Sequence, residues 1–228
     1  MGEMVEFPSN GQAASGYLAS PVSGSGPGVV VIQEWWGLVP HITDVCDRLA
    51  AEGFSALAVD LYHGSTASNQ EPDLAGKLMM EMELPRAAKE MSGAARWLVE
   101  SGKATGDGVG TVGFCMGGGL AQVLATESPL VRATVAYYGV IPWPGVTPDF
   151  TRLRGPVLGH WGTHDEWNSR EKVDELEAAI RDAGKPVEFF WYDAGHGFFN
   201  DTRPDAFAPD AARQSWERTL AFFRSNLT

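Results

Sequence analysis

Cys115 lies in Gly113-Phe114-Cys115-Met116-Gly117, a nucleophile-type residue flanked two positions away on both sides by glycine. An apolar β-like run, "GVGTVGF", precedes it and a helix of small residues, Gly117 to Thr126, follows. This is the strand-turn-helix context in which a Gly-x-nucleophile-x-Gly turn works. The turn strains the backbone of the nucleophile, and side chains at 113 and 117 would collide with sheet and helix. The thiol is thereby presented at the first turn of a helix, whose free N–H groups favour a thiolate. The bland alternative is a small core thiol. Cys46 fits that alternative, because it shares the apolar face of a helix with Ile42, Val45, Leu49 and Ala50.

A nucleophilic thiol needs a base, and the base needs an orienting acid. Of the five histidines, His196 has the most suitable setting: "YDAGHGFF", with glycines at 195 and 197, after a strand and before the last helix. His160 lies inside a strand and reads as structural. His41 and His63 follow strands without an evident partner. His160 and His164 stand at i, i+4, which makes a metal pair only on a helix; a strand and a Gly-Thr turn separate them, so no metal and no cofactor is expected. Asp165, just after the strand "GPVLGHWG", is the expected acid. Asp60 is the rival, although it precedes the nucleophile, and Asp193 reads as a turn residue. Glu34, a lone carboxylate after an all-apolar strand and beside two tryptophans, must be partly desolvated, which makes it a better base.

The elements that position these residues alternate. Strands are expected at Val29 to Ile32, Phe54 to Leu61, "GVGTVGF", "RATVAYYG", "GPVLGHWG" and "PVEFFWYD". Helices are expected in "VPHITDVCDRLAAEG", Pro85 to Glu100, Gly117 to Thr126, Ser169 to Ala183 and Ala206 to Asn226. Residues 64–72 are polar and read as a loop, as does the connection onward to 84. The opening segment alternates weakly around Asn10-Gly11 and suggests a hairpin on a sheet edge. Alternating strands and helices form a mostly parallel sheet with helices on both faces. No repeat or linker interrupts it, so one α/β domain over residues 1–228 is the simplest account. In such sheets, ligands bind outside the carboxyl ends of the strands. The candidate residues occupy those ends, together with Trp35, Trp36, Tyr138, Trp143 and Trp167, aromatic groups that could line an apolar substrate pocket.

The order Cys115, Asp165, His196 is the chain order of nucleophile, acid and base in α/β-hydrolases. The sequence resembles the dienelactone hydrolase family along nearly all its length, through "VVVIQEWWG", "HITDVCDRLAAEGFSALAVDLY", "GFCMGGG", "AYYG", "AGHGFFNDTRP" and "RTLAFF". The resemblance implies a single-domain α/β-hydrolase fold without a large lid and a Cys115-His196-Asp165 triad. It implies an oxyanion hole from the backbone N–H groups of Trp35 and Met116. It also implies that the resting thiol turns toward Glu34, which takes the thiol proton when substrate binds. The sequence departs from the family's type enzyme where that enzyme grips a substrate carboxylate. The position four residues after the histidine is Asn200 rather than arginine, Arg203 is out of register, and the stretch 64–84 offers only Lys77. The turn after Asp165, "EWNS", lacks the family's usual proline.

The expected activity is hydrolysis of a small-molecule ester or lactone through an acyl-thioester. A thioesterase or acyltransferase on the same triad, or a catalytically silent binding protein on the same fold, are the alternatives. The formal net charge of −12 argues against nucleic acid or an anionic membrane as partner. No apolar run approaches the length of a membrane span. "MGEMVEFPSN" has no basic run ahead of an apolar core. A cytoplasmic monomer is the expectation.

Overall fold

The computed structural model describes residues 2–9, 11–143 and 145–227. The chain opens with an antiparallel hairpin, β1 (Glu3–Ser9) and β2 (Gln12–Ala19), in which Ser9 faces Gln12. That pairing leaves a two-residue loop at the expected Asn10-Gly11. Asn10 lies outside the described residues, and Gly11 has φ 79°. The six strands that follow are β3 (Gly26–Ile32), β4 (Ser55–Val59), β5 (Ala104–Phe114), β6 (Val131–Tyr137), β7 (Val157–Gly162) and β8 (Val187–Tyr192). All eight belong to one sheet in the order β1-β2-β4-β3-β5-β6-β7-β8. β2 meets β4 antiparallel, and every later pairing is parallel. The hairpin therefore caps one edge, as its alternation suggests.

Helices α1 (Pro40–Ala51), α2 (Pro72–Glu81), α3 (Leu84–Glu100), α4 (Met116–Glu127), α5 (Arg170–Asp182) and α6 (Pro209–Asn226) cover the sheet. Period-two alternation along β3 sends Val29 and Val31 to one face and Val30 and Ile32 to the other. The first face packs on α1 and α6, with Cys46, Leu49, Leu220 and Phe223 in its core. The second packs on α3 and α4, with Met91, Leu98, Leu120 and Leu124, and on Ile180 of α5. A strand covered on both sides must be apolar at every position, which is why β3 reads as an unbroken run. Cys46 is fully buried, as expected, and burial pushes its thiol far above the ordinary range.

Two expectations are corrected. The stretch 64–84 is not all loop: it contains α2. Proline at the start of α2 suits a first helical turn. Ala75 is the residue of α2 that is fully buried, with Leu78 and Met79 partly buried against the core, while Leu74 and Met80 face solvent. The last helix begins at Pro209 rather than Ala206, because residues 203–207 first close a turn with the amides of Ala206 and Phe207 on the carbonyl of Arg203. Among the described residues, no helix is long and apolar enough to cross a membrane.

Candidate active site

The carboxyl ends of five neighbouring parallel strands bring the candidate residues together. Glu34 follows β3, Cys115 follows β5, Tyr138 follows β6, Asp165 follows β7 and His196 follows β8. Cys115 adopts φ 54°, ψ −121°, a conformation that L-residues rarely hold. Its amide donates to the Tyr137 carbonyl at 3.0 Å and its carbonyl accepts from Gly118 N–H at 2.9 Å, so the turn is clamped on both sides. A side chain at 113 would run into the carbonyl of Gly117, and one at 117 into the carbonyls of Ile32 and Gln33. The two glycines are thus required by close approach. Gly139, not singled out in the sequence, meets the same demand, since a Cβ there would strike the carbonyl of Cys115.

His196 pairs through Nδ1 with Asp165 Oδ2 at 2.9 Å. The acid is itself fixed. Its Oδ1 accepts from the amides of Trp167 (2.8 Å) and Asn168 (3.1 Å), and its Oδ2 accepts from Asn168 Nδ2 (3.0 Å). Burial alone would raise the Asp165 carboxyl, but the bonds from His196, Asn168 and Trp167 outweigh it and hold the group below its usual range. Burial alone would lower His196. The charge of the neighbouring Cys115 sulfur and the bond to Asp165 reverse this and push the imidazole up to about 10.

The amide of Trp35, just after β3, and that of Met116, next to Cys115 in the chain, donate to no protein acceptor among the described residues. Such unused N–H groups can receive a developing oxyanion. The Met116 side chain is braced by the Tyr62 hydroxyl, which donates to its sulfur at 3.4 Å.

Glu34 is 3% exposed and no cation pairs with it among the described residues. Its Oε1 accepts from the Tyr138 hydroxyl at 3.3 Å and its Oε2 from Asn200 Nδ2 at 2.8 Å. Burial, together with the negative charges of Glu34 and Cys115, holds the Tyr138 phenol well above its ordinary range, so it remains a donor. The expected resting bond between the thiol and Glu34 is absent among the described residues: the Glu34 oxygens accept from Tyr138 and Asn200, and the sulfur neighbours His196.

A cleft of about 660 Å³ opens over Cys115. Trp35, Trp36, Tyr138 and Trp167 line it, as the strand-exit reading expects. Trp143 does not. Beyond Pro142 the chain leaves the cleft, and the Trp143 ring packs against the core on the α3 and α4 side of the sheet. Arg203 reaches the cleft, but its guanidinium is paired with Asp205 at 2.7 Å and lies 5.9 Å from the Trp36 ring centre. The rival groups are occupied elsewhere. Asp60 accepts from the amides of Tyr62 and Gly64, His63 pairs with Glu90, and Asp193 pairs with His164 at the surface. His41 is buried beside Phe114 and Phe199. His160 is structural, held by Tyr192 and Thr219.

Sequence reasoning missed Asn168, Lys172 and the α2 residue Met79, all on the cleft wall, and took Asn200 only as a missing arginine. Asn168 had one local signal, its place three residues after Asp165 in a turn. Asn200 had none, because its partner is 166 residues away.

The model of the dienelactone hydrolase family matches residues 14–227. The chain belongs to that family. It is 38% identical to Protein usf of Aquifex pyrophilus, over the whole of both chains. It is 34% identical, again over the whole of both, to an Aquifex aeolicus protein bearing the provisional name carboxymethylenebutenolidase. A provisionally named dienelactone hydrolase of Klebsiella pneumoniae superposes with a TM-score of 0.87 at 29% identity, covering 98% of each chain. The dienelactone hydrolase fold is thus retained end to end, α2 included within the matched span.

Proposed function

We propose that this dienelactone hydrolase family member is a cysteine hydrolase of small carboxylic esters and lactones. The observation that carries the reading is Cys115 at φ 54° beside a His196–Asp165 pair at 2.9 Å, with the amides of Trp35 and Met116 free of protein acceptors among the described residues. The relative named as a carboxymethylenebutenolidase supports the hydrolysis of lactones.

Substrate binding transfers the Cys115 proton to the Glu34 carboxylate and leaves a thiolate against the His196 imidazolium. The sulfur attacks the carbonyl carbon, and the oxyanion is received by the amides of Trp35 and Met116. The tetrahedral adduct collapses with cleavage of the ester C–O bond, and the leaving alkoxide takes the imidazolium proton. Neutral His196 then deprotonates water, which attacks the acyl-thioester. The acid is released, the thiolate and imidazolium are restored, and Glu34 returns the first proton to the sulfur. Asp165 keeps the His196 tautomer and stabilises its charge. The aromatic walls and the neutralised Arg203 favour uncharged aryl or alkyl substrates.

The test is rapid mixing with a p-nitrophenyl ester. A burst of chromophore stoichiometric with protein, with the acyl group located on Cys115 by mass spectrometry, is the expected result. Cys115→Ala should fold normally and lose both burst and turnover. Full turnover in that variant would remove the nucleophile assignment.

A further inference from the structure

Glu34 is a buried carboxylate at a reacting centre with no cation against it. Two neutral donors hold it, and they differ in how firmly they are fixed. The Tyr138 hydroxyl sits at 3.3 Å, a long bond. Asn200 sits at 2.8 Å and is 1% exposed. Its amide cannot be reversed. Asn200 Oδ1 accepts from the Thr202 amide at 3.1 Å and from the Thr202 hydroxyl at 2.6 Å. A backbone N–H is always a donor, so the side-chain oxygen must face Thr202 and the –NH₂ must face Glu34. The backbone repeats the constraint: Asn200 N–H donates to the Gly197 carbonyl, and Arg203 N–H donates to the Asn200 carbonyl. This turn begins one residue after His196. One short loop therefore carries both the base and the firmest support of the second carboxylate.

A donor to a buried carboxylate favours its ionised form, whereas a neighbour that cannot donate leaves desolvation to favour the neutral acid. We infer that Asn200, locked by Thr202, is a positioning residue that keeps Glu34 ionised and thereby sets the lowest pH at which the Cys115 thiol can be activated. The inference rests on the role proposed above for Glu34. The position of Asn200 is then not a vacancy left by an absent cation. A neutral amide keeps the carboxylate available as a base without forming the tight ion pair that would hold it away from the sulfur's proton.

The experiment is the pH dependence of kcat/KM for a neutral p-nitrophenyl ester, in wild type, Asn200→Leu, Asn200→Asp and Glu34→Gln. Asn200→Leu removes the donor. Asn200→Asp is isosteric, keeps the acceptor for Thr202, and sets a second carboxylate against the first. Both should move the acid limb upward, by about one to two pH units for the loss of a hydrogen bond to a charged group and further for Asn200→Asp. On the alkaline side of that limb, KM should stay close to wild type, which a merely structural loss would not produce. An acid limb unmoved in a folded Asn200→Leu overturns the inference, and an unmoved limb in Asn200→Asp does so alone if the leucine variant does not fold. Glu34→Gln separates the two layers. If it retains full turnover, the role of Glu34 itself fails. If it is inactive while the Asn200 limbs coincide with wild type, only the part assigned to Asn200 fails.

Discussion

His160 is fully buried and His196 half-buried at the cleft, on neighbouring strands' territory, and their protonation is driven in opposite directions. His160, in the middle of β7, is completely enclosed; its ring nitrogens meet only the hydroxyls of Tyr192 (2.9 Å) and Thr219 (3.0 Å). Burial, helped by the cation of Arg218, pulls it down to about 3. His196 suffers the same desolvation, yet the Cys115 sulfur and the Asp165 carboxylate lift it to about 10. Burial alone thus does not decide the charge of a histidine; the sign of the groups it is buried with does. Hydroxyl partners hold one ring as a structural bolt, while a carboxylate and a sulfur favour the charged form of the other.

The comparison breaks most dramatically at the working histidine. His196→Gln should lower kcat/KM for an aryl ester by about 10² to 10⁴, the range of a lost general acid–base group, with the melting temperature nearly unchanged. Asp165→Asn should cost somewhat less, about 10² to 10³, with KM little affected, because the imidazole loses its orienting charge but not its place. Steady-state kinetics beside a thermal melt would check both. Undiminished turnover in Asp165→Asn would remove Asp165 from the mechanism.

His160→Gln sharpens the contrast from the other side. It should leave turnover near wild type and reduce stability by about 1 to 3 kcal/mol, as hydroxyls of Tyr192 and Thr219 lose well-placed partners. Urea titration at neutral pH measures this. A second effect is in the acid limb of stability. The folded protein keeps His160 neutral down to about pH 3, whereas the unfolded chain takes up a proton below its ordinary 6.5. The unfolded state then binds more protons, so stability is full above 6.5 and falls as pH drops toward 3, by up to about 1 kcal/mol per pH unit. The slope between pH 6 and 4 should flatten in His160→Gln. An identical slope in both proteins would assign the acid sensitivity to carboxylates such as Asp165.

How legible these roles are in the sequence depends on the range of the interaction that creates them. The strained turn at Cys115 is local, and Gly113 and Gly117 announce it within five residues. His160 is recognisable as structural because it interrupts an apolar strand, and Asp165 because it follows one. Asn168 carries only a weak mark, its place in the turn after Asp165, and Asn200 carries none. Each looks like an ordinary loop asparagine, and its value comes from a carboxylate delivered by folding: Asp165 across a turn, Glu34 across most of the chain. Trp143 failed for a related reason. Its distance from a strand end is right, but the chain turns away from the cleft before reaching it. α2 escapes a sequence reading although Leu74, Ala75, Leu78 and Met79 fall at helical spacing, because the polar run 64–72 before it reads as loop and its stripe is short.

The anchoring of α2 is thinner than that of the other helices. Ala75 packs in a small cluster with Trp36 and Ala67, while Leu78 and Met79 lie only partly buried against the core on the α3 and α4 side of the sheet. Segments with few fully buried contacts open at lower free energy than core strands. The α2 amides should exchange with solvent long before those of β3 or β5, and a protease should find the 64–84 stretch first. Pro72 and Met79 form part of the cleft wall. Changes to that wall can therefore accumulate with little cost to the central sheet.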